Sequence, residues 1–143
     1  MPDIRNILDL AAATDYDFRR SANPEGPLKY LFSEWVPYYR VKWATARALQ
    51  PKRILEIGVR FGYSAAAFLD ACPDAAYLGI DDDSDKSGGQ KGAILCDSQQ
   101  FEEFPRGPYD LIHIDGQQDE AGLIADLRKA LRQARRILVD GLF

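Results

Sequence analysis

Acidic residues recur where short apolar segments of the chain end. The acids at these positions are Glu56, Asp81, Asp97, Asp115 and Asp140. In an open parallel sheet, ligands bind beyond the carboxyl ends of the strands. Carboxylates at that edge can accept hydrogen bonds from hydroxyl groups or take a proton from a substrate. The pattern predicts a polar ligand site built from several strand ends.

The turn after the first apolar segment contains Gly58 and Gly62, with Arg60 between them. A dinucleotide-binding turn needs a glycine at the middle position so that a pyrophosphate can approach, and arginine there disfavours one. No Gly-Lys-Ser/Thr follows, which excludes a phosphate loop. Asp81 lies roughly 20 residues beyond the turn, where such folds place a carboxylate for ribose hydroxyls. These residues predict an adenosine-containing ligand without a pyrophosphate.

Apolar segments alternate with helical ones through the second part of the chain, which predicts an α/β fold with a parallel sheet. Strands are expected near residues 54–57, 76–81, 92–97, 109–115 and 135–141. Helices are expected at 64–72 and 119–134, the first capped by Ser64 and closed by Pro73. The polar segment 82–92 has no apolar periodicity and predicts a loop.

The first third of the chain predicts helices that are not part of the strand–helix alternation. Apolar residues of segment 4–13 recur at helical spacing, and segment 21–27 predicts a loop. Segment 28–49 is rich in aromatic residues, and Pro37 is expected to separate two helical pieces. Its aromatic residues either pack a helical layer onto the sheet or cover a substrate, and they include Trp35, Tyr38, Tyr39 and Trp43.

Composition limits the class of protein. The 143 residues carry a formal net charge of -4, which argues against nucleic acid as a partner. No apolar run reaches the roughly 18 residues needed to cross a bilayer, and the first residues do not form a secretory signal. Cys72 and Cys96 lack metal-binding spacing and are expected to be reduced. We therefore predict a cytoplasmic protein without a membrane partner.

Five segments, read in order, resemble the successive motifs of class I S-adenosylmethionine-dependent methyltransferases that act on small molecules. The segments are ILEIGVRFGYSA, YLGID, ILCDSQQF, YDLIHIDG and ILVDG, within residues 40–141. The resemblance implies a Rossmann-like doubly wound sheet of about five strands in the order 3-2-1-4-5. It also implies a single domain over residues 1–143, with a helical segment 1–50 and a cofactor-binding core 51–143. The chain resembles a shortened member, without the C-terminal strand pair usual in that family.

The family's cofactor is S-adenosylmethionine, and the resemblance assigns residues to its methionine end. Glu56, Gly58 and Gly62 would line the methionine moiety. Tyr63 and Ser64, at the start of a helix, would lie against its carboxylate, because free amides there favour an anion.

The resemblance assigns other residues to the rest of the cofactor. Asp81 would bind the ribose hydroxyls, and Asp97 and Ser98 would contact the adenine. Arg60 would pair with the methionine carboxylate or point to solvent.

Methyl transfer to an oxygen atom of a small molecule is the implied reaction. Asp115 would lie by the methionine amino group and is the candidate base. His113, the one histidine of the chain, is either a proton-transfer residue or a buried strand residue.

Some members of the family hold a divalent cation with acids after the fourth and fifth strands, the places of Asp115 and Asp140. Here Gln117 and Gln118 stand where related sequences often have an acid and a histidine, and Gly141 follows Asp140. Two carboxylates alone make a poor magnesium site. We therefore predict no metal.

Two other functions remain open. A module that binds the cofactor or assists assembly without catalysis has the same motifs, whereas Arg60 disfavours a dinucleotide-dependent oxidoreductase. An exposed edge at the fifth strand predicts a homodimer, because pairing two edges would cover both.

Overall fold

The computed structural model describes residues 2–20, 30–82, 93–116 and 119–140. The predicted loop at 21–27 lies outside these ranges, as does all but the first residue of the predicted loop at 82–92.

Five parallel strands form one sheet in the order β3-β2-β1-β4-β5, as predicted. The strands are β1 Arg53–Ile57, β2 Ala76–Asp81, β3 Ile94–Leu95, β4 Leu111–Ile114 and β5 Ile137–Val139. The last three are shorter than the sequence predicted. The reason is clearest for β3, which lies at an edge and pairs with β2 alone, at Ile80 and Asp81.

Four α-helices accompany the sheet in the described ranges. They are α1 Ile4–Ala13, α2 Val36–Leu49, α3 Tyr63–Ala71 and α4 Glu120–Gln133. Within the part of the chain that the structure describes, no helix is both long enough and apolar enough to cross a membrane.

Pro37 does not divide two α-helices, as the sequence had suggested. It lies in the first turn of α2, where a backbone N–H has no helical partner and its loss costs little. A single 3₁₀ turn, Ser33–Trp35, precedes the helix directly.

The predicted cap of α3 is wrong. The helix begins at Tyr63, and the capping position belongs to Gly62, whose φ of 78° is one that glycine adopts easily. Ser64 therefore already lies inside the helix, and its hydroxyl accepts a hydrogen bond from Lys42 instead.

Apolar residues cover both faces of β1 and β4, two neighbouring strands inside the sheet. On one face, Leu55 and Ile112 pack with residues of α4. On the other, Ile54 and Leu111 pack against Phe68 of α3. Burial on both faces explains why these strands read as nearly continuous apolar runs.

The aromatic residues of the first third form a separate cluster. Tyr16 and Phe18 are buried against Tyr63 of α3, with Trp43 and Tyr39 packed around them. The Trp43 indole N–H donates to Asp70 at 2.7 Å. Trp43 therefore packs the helical layer onto the core.

Candidate functional site

A cavity of about 600 Å³ opens at the carboxyl edge of the sheet, beyond the ends of β1, β2 and β4. Small-molecule sites commonly measure ~300–1,000 Å³. The cavity brings together most of the residues that the sequence singled out for cofactor binding. They are Gly58, Arg60, Tyr63, Ser64, Asp81, Asp97, Ser98 and Asp115. Asp82 lines it as well and was missed by the sequence reasoning.

The glycine turn presses against the segment that follows β4. Gly58 has a φ of 85°, and a Cβ on it would lie 2.3 Å from the carbonyl oxygen of Asp115 and 2.6 Å from Gly116 Cα. Only glycine fits a backbone held this way. The turn and Asp115 are therefore fixed relative to each other by backbone contact.

Asp81 supports the same turn from the end of β2. Its Oδ2 accepts hydrogen bonds from the amides of Val59 and Arg60, each at 2.7 Å. The Arg60 side chain is exposed, and its guanidinium lies 5.0 Å from the ring centre of Phe61 and 5.4 Å from that of Tyr30. Arg60 also lines the cavity.

Three buried polar residues, Ser98, Asp126 and Lys129, are bonded to one another beside the end of the cavity that follows β3. Ser98 Oγ donates to Asp126 Oδ2 at 2.8 Å, and Lys129 Nζ lies 2.9 Å from Asp126 Oδ1. Lys129 also donates to the Ser98 carbonyl at 2.8 Å. Asp97 accepts the Gln99 amide at 2.8 Å, which begins the 3₁₀ turn Ser98–Gln100. These bonds hold the segment that lines one end of the cavity.

Glu56 does not reach the cavity. It is 1% exposed, and its Oε1 lies 2.9 Å from the Nδ1 of His113, while its other oxygen accepts the Tyr77 hydroxyl. Glu56 therefore does not line the cavity as expected. Both of its carboxylate oxygens are bonded to neighbouring side chains, so it forms a buried pair with His113 beneath the site. Gly62 likewise shapes the turn without lining the cavity.

His113 is fully buried on β4. Its Nε2 has no hydrogen-bond partner among the described residues and lies 3.8 Å from Asp140 Oδ2. Burial, the largest influence, acts to lower the pKa of the imidazole. The carboxylates of Asp140 and Glu56 together outweigh it, so the pKa of His113 is raised.

Lys42 joins the carboxylates after β4 and β5. Its Nζ lies 2.9 Å from Asp140 Oδ2 and 3.7 Å from Asp115 Oδ2, and it donates to Ser64 Oγ at 2.7 Å. The ammonium also lies 4.2 Å from the ring centre of Tyr38, and the Lys42 side chain is 4% exposed. Sequence reasoning missed this lysine.

The two carboxyls beside Lys42 have opposite pKa shifts. Burial is the main cause of the raised pKa of Asp115, and Lys42 offsets it only in part. Burial also acts to raise the pKa of Asp140, but contacts from His113, Tyr38 and Lys42 outweigh it and hold that pKa below its usual range. Asp115 is thus the better proton acceptor, and Asp140 stays ionised.

No family model and no curated protein matches the sequence, but solved structures do. The O-methyltransferase TomG from Streptomyces achromogenes, in complex with S-adenosylmethionine, aligns with 98% of this chain and 66% of its own. The TM-score is 0.62 and the identity 19%. The Podospora anserina methyltransferase PaMTH1, bound to S-adenosylhomocysteine, has a TM-score of 0.59 and 26% identity over 98% of this chain and 62% of its own.

A third protein with this fold is the methyltransferase MycE from the mycinamycin biosynthetic pathway, in complex with Mg, S-adenosylhomocysteine and mycinamycin VI. Its TM-score is 0.52, with 20% identity over 91% of this chain and 34% of its own. The chain has the fold of the class I S-adenosylmethionine-dependent methyltransferases, as its motifs predicted. It spans less than two thirds of the length of each of these three proteins.

Proposed function

We propose that this protein transfers a methyl group from S-adenosylmethionine to an oxygen atom of a small molecule. The observation that carries the proposal is the cavity at the carboxyl edge of the sheet, where the glycine turn and the acids after β2 and β4 line one space. The fold supports the cofactor, because TomG and PaMTH1 were crystallised with S-adenosylmethionine or S-adenosylhomocysteine.

The methionine end of the cofactor is proposed to lie at the turn and the start of α3. The first amides of a helix have no helical partners and favour a carboxylate. Tyr63 and Ser64 lie at that end of α3 and line the cavity, together with Gly58. Glu56 and Gly62 contribute indirectly, the first from beneath the site and the second by starting the helix.

The adenosine end is proposed to lie across the ends of β2 and β3. Asp81 offers a carboxylate for the ribose hydroxyls, while Asp97 and Ser98 line the neighbouring wall for the adenine. Arg60 lies at the outer side of the turn, where it borders the cavity.

Asp115 is proposed as the base. When bound, the cofactor supplies a methyl group that is already activated toward a nucleophile. The chain must then align the acceptor oxygen and remove its proton. Asp115 lines the cavity, and burial raises its pKa toward the range in which a carboxylate accepts a proton. His113 lies beneath the cavity and acts, in this proposal, only through the charges of Glu56 and Asp140.

The acceptor is proposed to be a small hydroxylated molecule with an apolar body. Trp35, Tyr38 and Tyr39 line the cavity from the side of α2 and present aromatic surface to it. Such rings favour flat or apolar groups.

Calorimetric titration with S-adenosylhomocysteine tests the cofactor, and transfer of a labelled methyl group to a panel of phenols and alcohols tests the reaction. We expect binding and transfer by the wild-type protein. Asp115→Asn should lower transfer, measured at saturating S-adenosylmethionine, by roughly 100-fold or more. Asp74→Asn, an exposed acid between α3 and β2, is the matched control. Absence of binding at millimolar ligand overturns the cofactor, and binding without any transfer contradicts the activity.

Self-association through β5 is part of the same proposal. In the described sheet β5 is an edge strand that pairs only with β4. An unpaired edge can add a strand from a second copy. Light scattering during size-exclusion chromatography should give twice the 16.1 kDa chain mass, and a monomer mass contradicts this part.

A further inference from the structure

A lysine ammonium lies between the acids after β4 and β5, the place where some members of the class that this chain resembles hold a divalent cation. Lys42 Nζ stands between Asp140 Oδ2, at 2.9 Å, and Asp115 Oδ2, at 3.7 Å. MycE, which shares the fold, was crystallised with Mg. Whether this chain could hold a divalent cation depends on the ligand atoms that it offers at this place.

The donor set fits a magnesium ion poorly. His113, Asp115 and Asp140 each place a ligand atom within 4.8 Å of the others. Mg²⁺ prefers an octahedron of oxygen atoms at about 2.0–2.1 Å, and an imidazole is a poor partner for it. Gly141, which follows Asp140, has no side chain to add. Among the described residues, the site thus offers two carboxylates, and both already face Lys42.

The ammonium of Lys42 is held from several directions. It donates to Ser64 Oγ at 2.7 Å and lies 4.2 Å from the ring centre of Tyr38, whose hydroxyl donates to Asp140. With its side chain 4% exposed, Lys42 has little room to withdraw into solvent. A divalent cation would have to displace this buried charge or lie beside it, where like charges repel.

We propose that Lys42 takes the place of a divalent cation, so that this site binds no metal. Its single positive charge offsets part of the charge of Asp115 and Asp140 and keeps Tyr38 at the cavity wall. The inference concerns metal binding by the protein alone and goes beyond the proposed function. Only its corollary, that methyl transfer needs no added metal, rests on that function.

Titration with Mn²⁺, followed by the electron paramagnetic resonance signal of the free ion, tests the inference directly. We expect wild-type protein and Asp140→Asn to bind Mn²⁺ equally weakly. Lys42→Met keeps an apolar side chain of similar length and should gain a Mn²⁺ site roughly tenfold tighter or more. That site should disappear in the double variant with Asp140→Asn. Lys52→Met removes the same charge at an exposed position before β1, at the opposite edge of the sheet, and should gain nothing.

Wild-type Mn²⁺ binding that Asp140→Asn abolishes overturns the inference. A folded Lys42→Met protein that gains no Mn²⁺ site also contradicts it, because the lysine is then not what excludes the ion. Circular dichroism establishes whether that variant folds, and if it does not, the comparison of wild type with Asp140→Asn decides. Calorimetry with S-adenosylhomocysteine separates the two proposals. If the wild-type protein does not bind it, the proposed function is contradicted, whereas the comparison of Mn²⁺ binding among the variants is unaffected.

Discussion

The carboxylate of Asp81 accepts the backbone N–H of Val59 at 2.7 Å, and the same oxygen accepts the next amide at the same distance. A residue at the end of β2 thereby holds the turn after β1 in place. The acid proposed for the ribose and the glycine turn proposed for the methionine are thus one connected structure. A change at Asp81 should affect both ends of the ligand.

Asp81→Asn should weaken binding of S-adenosylhomocysteine by roughly 10- to 100-fold. The amide keeps an acceptor for the turn but loses the charge, and a charge-assisted hydrogen bond contributes about 1.5–3 kcal/mol. Calorimetry measures the change, with Asp74→Asn as the exposed control. An affinity unchanged from wild type would mean that the ribose does not contact this carboxylate.

Glu56→Ala should lower the free energy of unfolding by about 3–5 kcal/mol, because removing one member of a buried pair leaves its partner uncompensated. Glu56 and His113 are 1% and 0% exposed, and their side chains meet at 2.9 Å. Urea unfolding provides the measurement. Glu103→Ala, at an exposed position, should stay within about 0.5 kcal/mol of wild type. A loss below about 1 kcal/mol for Glu56→Ala would show that the pair contributes little.

Stability should also depend on pH through His113. Its pKa is raised from the ordinary value of 6.5 in the folded protein, so folding favours the protonated ring. This contribution is fully present below the unfolded pKa and is lost as the pH rises through the folded pKa. The unfolding free energy of wild type minus that of His113→Gln should therefore be largest below about pH 6.5 and decrease above it. A difference that grows with pH contradicts the raised pKa.

The strands and the acids at their ends could be predicted from the sequence, because both follow from local patterns, whereas the strand order was implied by the family resemblance alone. Central strands buried on both faces leave continuous apolar runs, and the acid that ends each run marks the carboxyl edge. Edge strands leave weaker signals. β3 pairs over Ile94–Leu95 only, and Leu95 is itself exposed, so its sequence overstated the strand.

The buried charges could not be predicted in the same way. Lys42 on α2, and Asp126 and Lys129 on α4, are charged residues in helical segments, where charge normally indicates a solvent face. Each is buried because a partner from a distant segment meets it, such as Asp140 for Lys42 or Ser98 for Asp126. Such pairs depend on how the helices pack, which no periodicity in one segment encodes.

Gly58→Ala should lower the free energy of unfolding by roughly 2–5 kcal/mol, from left-handed backbone strain together with overpacking. Its φ is 85°, and the new Cβ would lie 2.3 Å from a backbone oxygen of Asp115, an atom that cannot move without moving the end of β4. Gly79→Ala is the informative comparison. There the nearest atom is Val59 Cγ2, at 2.6 Å, which belongs to a side chain. Urea unfolding should show the larger loss for Gly58→Ala, and equal losses would mean that the turn can shift away from Asp115.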